Sequence, residues 1–255
     1  MEYIGHGALA PATAQTDLVQ TLETREFCTT IDARLRKGAH LLLYGPRGVG
    51  KSSLIRTLAS HYHSIAIPCG MVAETSGLPA VVAALASAYP DTDLAGIGKR
   101  AARARLHRAA DYTAGILLLD HATTMTSPML GFLRRLRGGI VGVLFVVDVD
   151  SARERERIRE WHAGMLSVRM PRLSYRTLHK LLLAKVKAPC LSTIDPPMIR
   201  HILRRADGRA GWLSECVLRL QKPAYWEGAN LRLAALCMDT EFALRDSRGG
   251  PLARR

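Results

Sequence analysis

Apolar residues along the chain gather into short unbroken runs set between stretches of helical periodicity. His40–Tyr44, Gly115–Leu119 and Ile140–Val147 are such runs, the pattern of strands buried on both faces. Ser64–Pro68 and Leu166–Arg169 are weaker candidates and bring the expected strands to five. Between them Leu22–Lys37, Lys51–Tyr62, Leu78–Tyr89, Ile97–Ala110, Ser127–Leu136 and Ser151–Glu160 read as helices. Gly38 is placed to stop the first, and Pro128 sits in the first turn of the fifth. Alternation of this kind predicts an α/β fold, a parallel five-stranded sheet sandwiched by helices. After Pro171 the pattern changes to helices only, over Ser174–Lys187, Pro196–Ala206, Trp212–Leu220 and Leu231–Leu244. The expected organisation is an irregular lead-in at 1–21, a core at 22–172, an all-helical unit at 173–247 and a loose basic tail at 248–255.

Composition narrows the class. Hydrophobic residues at 48% and charged ones at 23% are ordinary for a globular chain, and aromatics at 5% make the core aliphatic. No apolar run is long enough to cross a bilayer, and the first residues lack the pattern of a signal peptide. A cytoplasmic protein with no membrane contact is expected. The five cysteines are scattered without a Cys-x-x-Cys pair, which indicates neither a disulfide framework nor a zinc site. Charge is placed unevenly: residues 1–130 carry +2, whereas residues 131–255 carry +12 of the total of +14. A basic half of this kind suits a polyanion, most often nucleic acid; a general bias toward arginine is the plainer reading.

The most informative segment is Gly45-Pro46-Arg47-Gly48-Val49-Gly50-Lys51-Ser52-Ser53. It meets the pattern Gly-x-x-x-x-Gly-Lys-Ser between a predicted strand and a predicted helix. Glycines let backbone N–H groups turn inward around phosphate oxygens, and the following helix adds the positive end of its dipole. Lys51 suits the β- and γ-phosphates of ATP, and the Ser52 hydroxyl suits magnesium. Ile116–Leu119 is a buried strand that delivers Asp120 at its C-terminal end, where open parallel sheets bind ligands. Asp120 is therefore the second candidate for holding hydrated magnesium.

With this loop, the strand–Asp pair and the helical C-terminal segment, the chain resembles the AAA+ ATPases. Within them it is similar to replication-initiator ATPases and TniB-type transposition helpers, over roughly residues 20–222. The resemblance implies a P-loop NTPase core with a small all-helical lid domain and ATP held between them. It also implies ATPase activity, a homo-oligomer and a polar γ-phosphate sensor after the fourth strand, where Asp148 stands. Asn, Thr or Ser is usual there, and a carboxylate facing phosphate is repulsive unless protonated or metal-bound, so that Asp148 pointing elsewhere stays open. In the segment 206–213, Arg209 is either a phosphate-sensing arginine or a solvated residue between two helices. The family usually continues its acidic strand end with Glu; here the next residue is His121. A neutral imidazole can accept a proton but lacks a carboxylate's charge, so hydrolysis is expected to be slow or absent. His121 filling space is the alternative.

Arg153, Arg155, Arg157 and Arg159 alternate with glutamates, which reads first as an ion-paired exposed helix. The resemblance adds a second role, an arginine finger reaching a neighbour's ATP, with Arg157 or Arg159 as the candidate. Lys99, Arg100, Arg103, Arg105 and Arg108 crowd one helix without acidic counter-charges at 94–110, and Arg134, Arg135 and Arg137 follow on another. Such helices suit the backbone of a nucleic acid and not base stacking. The leading expectation is an oligomeric, ATP-dependent regulator acting on or near DNA. The alternative is an ATP-binding scaffold or switch with little hydrolysis that recruits an unidentified protein partner. A small-molecule kinase ranks lower, because nothing resembles an acceptor pocket.

Overall fold

The computed structural model describes residues 22–72, 77–92, 94, 97–122, 126–136, 140–149, 156, 165–186 and 194–246. Its N-terminal part runs α1 (Leu22–Leu35), β1 (His40–Gly45), α2 (Lys51–Ser64), β2 (Cys69–Val72), α3 (Leu78–Ala88), α4 (Lys99–Tyr112), β3 (Gly115–Leu119), α5 (Ser127–Leu136), β4 (Val141–Asp148) and β5 (Leu166–Arg169). The five strands form one parallel sheet in the order β2-β3-β4-β1-β5. Alternation along each strand sends successive side chains to opposite faces. Leu41 and Leu43 pack with Ile116, Leu118, Leu144 and Val146 against α1 and α2. Leu42 joins Leu117, Val143 and Phe145 in the cluster under α3, α4 and α5. With helices on both faces, continuous apolar runs are what the strands require.

β1 and β4 lie side by side in register, Gly45 opposite Asp148. This adjacency sets the loop after β1 beside the end of β4, while β3 ends next to it. Glycine permits close packing below. A Cβ on Gly142 would overlap the carbonyl oxygen of Leu35 at the end of α1, and one on Gly70 would overlap that of Ala84 in α3.

The second strand lies later than the apolar run Ser64–Pro68 predicts. Ile65, Ala66 and Ile67 donate back to the carbonyls of His61, His63 and Tyr62, and Ala66 has a φ of 54°. They close the end of α2, and Pro68 lacks an N–H for pairing. Pairing with β3 starts at Cys69. The predicted helix Ser151–Glu160 falls outside the described residues apart from Glu156, as do the arginines at 153, 155, 157 and 159.

The C-terminal part contains α6 (Tyr175–Lys185), α7 (Pro196–Ala206), α8 (Ala210–Leu220) and α9 (Leu233–Asp246). They enclose a separate apolar cluster centred on Trp212, which is fully buried. This part is helical but not all-helical: an antiparallel hairpin, β6 (Trp226–Glu227) and β7 (Asn230–Leu231), joins α8 to α9 through a turn at Gly228, whose φ is 62°. No described helix is long and apolar enough to cross a membrane.

Gly142→Ala must push α1 from the sheet or distort β4. The expected cost is about 1–3 kcal/mol, seen as a lower urea midpoint with an unchanged slope.

Candidate functional site: the cleft at the P-loop

The glycine loop leaves β1 at Gly45 and enters α2 at Lys51. Gly48 and Gly50 have φ values of 74° and 108°, a region that residues with a Cβ rarely adopt. No side chain caps the start of α2, so its first-turn N–H groups are available to an anion. Val49 is buried under the loop in the cluster with α1 and α2. Residues Arg47 to Ser53 border a cavity of about 210 Å³, completed by His121 and Asp148 from the sheet and by Gly211 and Leu244 from the C-terminal helices.

Lys51 is buried, with its side chain 4% exposed. Its Nζ donates to the carbonyls of Gly45 and Pro46, each at 2.7 Å, and pairs with Asp148 Oδ1 at 2.8 Å. The other oxygen of Asp148 accepts from Arg47 Nε at 3.1 Å. Burial pushes the Asp148 carboxyl up. The Lys51 charge and hydrogen bond, then Arg47 and His121, outweigh it and hold the group below its ordinary value near 3.8. Asp148 does not point elsewhere: it faces the loop, because two buried cations there supply the compensation a carboxylate needs.

His121 follows Asp120 at the end of β3 with a φ of 50°. Its ring lies between two carboxylates, Nε2 at 3.9 Å from Asp120 Oδ2 and Nδ1 at 3.8 Å from Asp148 Oδ2. Its side chain is 43% exposed at the cavity, so it does not simply fill space in the core. Asp120 is buried, and its Oδ1 accepts from the His121 N–H at 3.0 Å. Ser52 and Ser53 lie on the cavity wall.

Arg209 is placed differently. Its guanidinium grips Glu241 of α9 at 2.6 and 3.3 Å and donates to the carbonyls of Arg205 and Ala206. It lies over the Trp212 ring at 5.9 Å and does not line the cavity. A bidentate carboxylate on a neighbouring helix is the stronger partner for a fork of donors, and sequence spacing offered no sign of Glu241. What reaches the loop instead is backbone: Gly211 N–H donates to the Gly48 carbonyl at 2.6 Å, and Arg47 donates to the Leu244 carbonyl. Gly211 could have been suspected from the pair of glycines at 208 and 211; the Leu244 carbonyl carries no side-chain signal.

Residues 34–155 match the family model described as an AAA domain. Over that segment, just under half of its length, the chain is similar to AAA domains. Solved structures with similar folds include Cdc6p from Pyrobaculum aerophilum, at a TM-score of 0.55 and 16% identity, covering 82% of this chain and 63% of that one. They also include AMPPCP-bound DnaA from Aquifex aeolicus, at a TM-score of 0.52 and 13% identity, covering 93% of this chain and 71% of that one. The chain thus spans under two thirds of the length of the Pyrobaculum structure. No curated protein matches it. These likenesses show the P-loop NTPase fold, with its helical C-terminal part, over most of the chain.

Because the folded-state carboxyl of Asp148 titrates below its unfolded value, its stabilising effect is complete above about pH 4 and fades as pH falls through the folded value. Asp148→Asn should therefore flatten the acid limb of the stability curve below pH 4, read as urea midpoints at stepped pH.

Proposed function

We propose that this chain is an ATP-binding AAA+ ATPase, an oligomeric ATP-dependent regulator acting on or near DNA in the cytoplasm. The observation that carries the reading is the left-handed glycine loop presenting Lys51 and the open start of α2 at the C-terminal edge of a parallel sheet. In this reading residues 22–172 form the nucleotide core and 173–247 the lid. Gly45, Pro46, Gly48, Val49 and Gly50 shape the phosphate seat, Lys51 steadies the β- and γ-phosphates, and Arg47 stands at its mouth. Magnesium suits the donor set: Ser52 Oγ and the Asp120 carboxylate are hard oxygens. No group of three or more His, Cys, Asp or Glu among the described residues could cage an ion without the phosphates. Its contribution is to neutralise charge on the phosphate oxygens. Arg209 serves the lid through Glu241 and not the phosphate directly. A finger from Arg157 or Arg159 toward a neighbouring copy remains part of the proposal on family resemblance alone.

For hydrolysis, His121 is the group placed to accept a proton from an attacking water. It stands where the family carries a carboxylate, and Asp120 and Asp148 flank its ring. Slow turnover follows, because an imidazole orients water without adding the negative charge that draws its proton. This same observation favours the second reading, a nucleotide switch that recruits a protein partner and hydrolyses little. Background phosphate release with ATP binding retained selects the switch; turnover abolished by His121→Ala selects the enzyme.

The DNA reading gains support from the outer face of α4 and α5. Arg100, Arg103, His107, Arg108 and Asp111 of α4 and Arg135 of α5 line a cavity of about 600 Å³. Among the described residues, Arg100, Arg103, Arg108 and Arg135 make no ion pair. Burial, then the Arg135 charge, pushes the His107 imidazole below its ordinary value despite Asp111. On α4, Arg100 to Arg108 spans about 12 Å at 1.5 Å per residue, a length that suits two or three phosphates of one strand.

Lys51→Ala should abolish retention of labelled ATP, and undiminished retention would remove the nucleotide reading. Duplex binding should weaken linearly on a log–log plot against salt, and Arg100→Ala with Arg103→Ala should lower that slope by roughly 2. Binding that is insensitive to salt, or to these changes, would remove the DNA contact from this face.

A further inference from the structure

We infer that Asp148 is an internal competitor for the terminal phosphate, so that the cleft holds a nucleoside diphosphate more tightly than a triphosphate. The inference rests on the reading of the loop as a nucleotide seat and adds a specificity-determining residue to it.

An ammonium group has three N–H donors. Lys51 directs its Nζ at the Gly45 carbonyl, the Pro46 carbonyl and Asp148 Oδ1, all within 2.8 Å. The two carbonyls belong to the loop and can leave only if the loop is remade. The carboxylate belongs to a different strand, so it is the acceptor that a phosphate oxygen can replace while the loop stays intact. Asp148 is not easily replaced, however. Its second oxygen is held by Arg47, Arg47 is tied to the Leu244 carbonyl, and the Asp148 side chain is only 7% exposed. A buried pair of this kind is little weakened by solvent or salt.

The place of Asp148 selects which phosphate it opposes. The amides of a P-loop surround the inner phosphates, and the lysine extends to the outermost one. Asp148 meets Lys51 from the end of β4, beside His121 and one strand from Asp120. The Asp148 carboxylate therefore faces the end of the triphosphate tail, and a like charge in such proximity opposes binding. A diphosphate is held mainly by the glycine loop and the helix start and carries no phosphate out to the Asp148 carboxylate. A triphosphate must displace the carboxylate or sit against it.

Calorimetric titration of the full chain with ADP and with ATP, magnesium present, reads the preference directly. ADP should bind about tenfold more tightly or better. Asp148→Asn keeps the shape and removes the charge, and it should bring the two affinities close together by strengthening ATP. Wild-type ATP binding as tight as ADP binding overturns the inference, as does an affinity ratio unchanged in Asp148→Asn. Should that variant fail to fold, displacement of labelled ADP from the wild-type chain decides instead. Pyrophosphate should compete at lower concentration than tripolyphosphate, and equal or reversed potency overturns the inference. Lys51→Ala separates the two levels. If it retains both nucleotides, the seat itself is misread; if it loses both while the wild type treats ADP and ATP alike, only the role of Asp148 falls.

Discussion

Lys51, Arg47 and Asp148 bury two positive charges and one negative charge together where β1 and β4 end, and the cleft is organised around that triad. Removing ions from water costs several kcal/mol for each, and the arrangement persists only because each partner meets a complementary one. The sheet supplies the geometry. With β4 paired directly to β1, the end of one strand and the loop after the other cannot separate without breaking the sheet. The carboxylate is therefore held against the ammonium by the whole core of aliphatic side chains beneath it. On the proposed reading, nucleotide binding at this loop is a contest over Lys51, not simple occupation of an open seat.

The same triad ties the two parts of the molecule together. Arg47 carries the link outward to the last turns of α9, and the Gly48 carbonyl takes a bond from the start of α8. These contacts are between backbone groups, or from one side chain to backbone, so they fix position without depending on complementary side chains. They fall on the loop that would hold phosphate. The loop is thereby joined directly to the helices that enclose Trp212, the connection that the proposed nucleotide-driven role requires.

The core was largely legible because its signals are local. Unbroken apolar runs such as Ile140–Val147 admit few other environments, and the glycine pattern between a strand and a helix states the conformation of the loop. Misreadings arose where the deciding partner was distant. Ile65–Ile67 looks like a buried strand until the carbonyls of α2 take its N–H groups. Trp226 to Leu231 forms a hairpin because it folds onto itself at Gly228, a turn too short to outweigh the helical pattern around it. For Arg209 the sequence left a phosphate sensor and a solvated residue open, and the partner that holds its guanidinium, Glu241, lies 32 residues further on.

The chain's own order of residues determined the class of fold, the glycine loop after β1 and the acidic residues at the ends of β3 and β4, since each rests on conformational preferences within a few positions. Only the tertiary structure decided what those residues touch. Strand order brought Asp148 onto Lys51, helix packing drew Arg209 away from the cleft, and burial made both choices binding. Short-range preference is written in neighbouring residues; the energy of a buried charge depends on partners that only the folded sheet brings near.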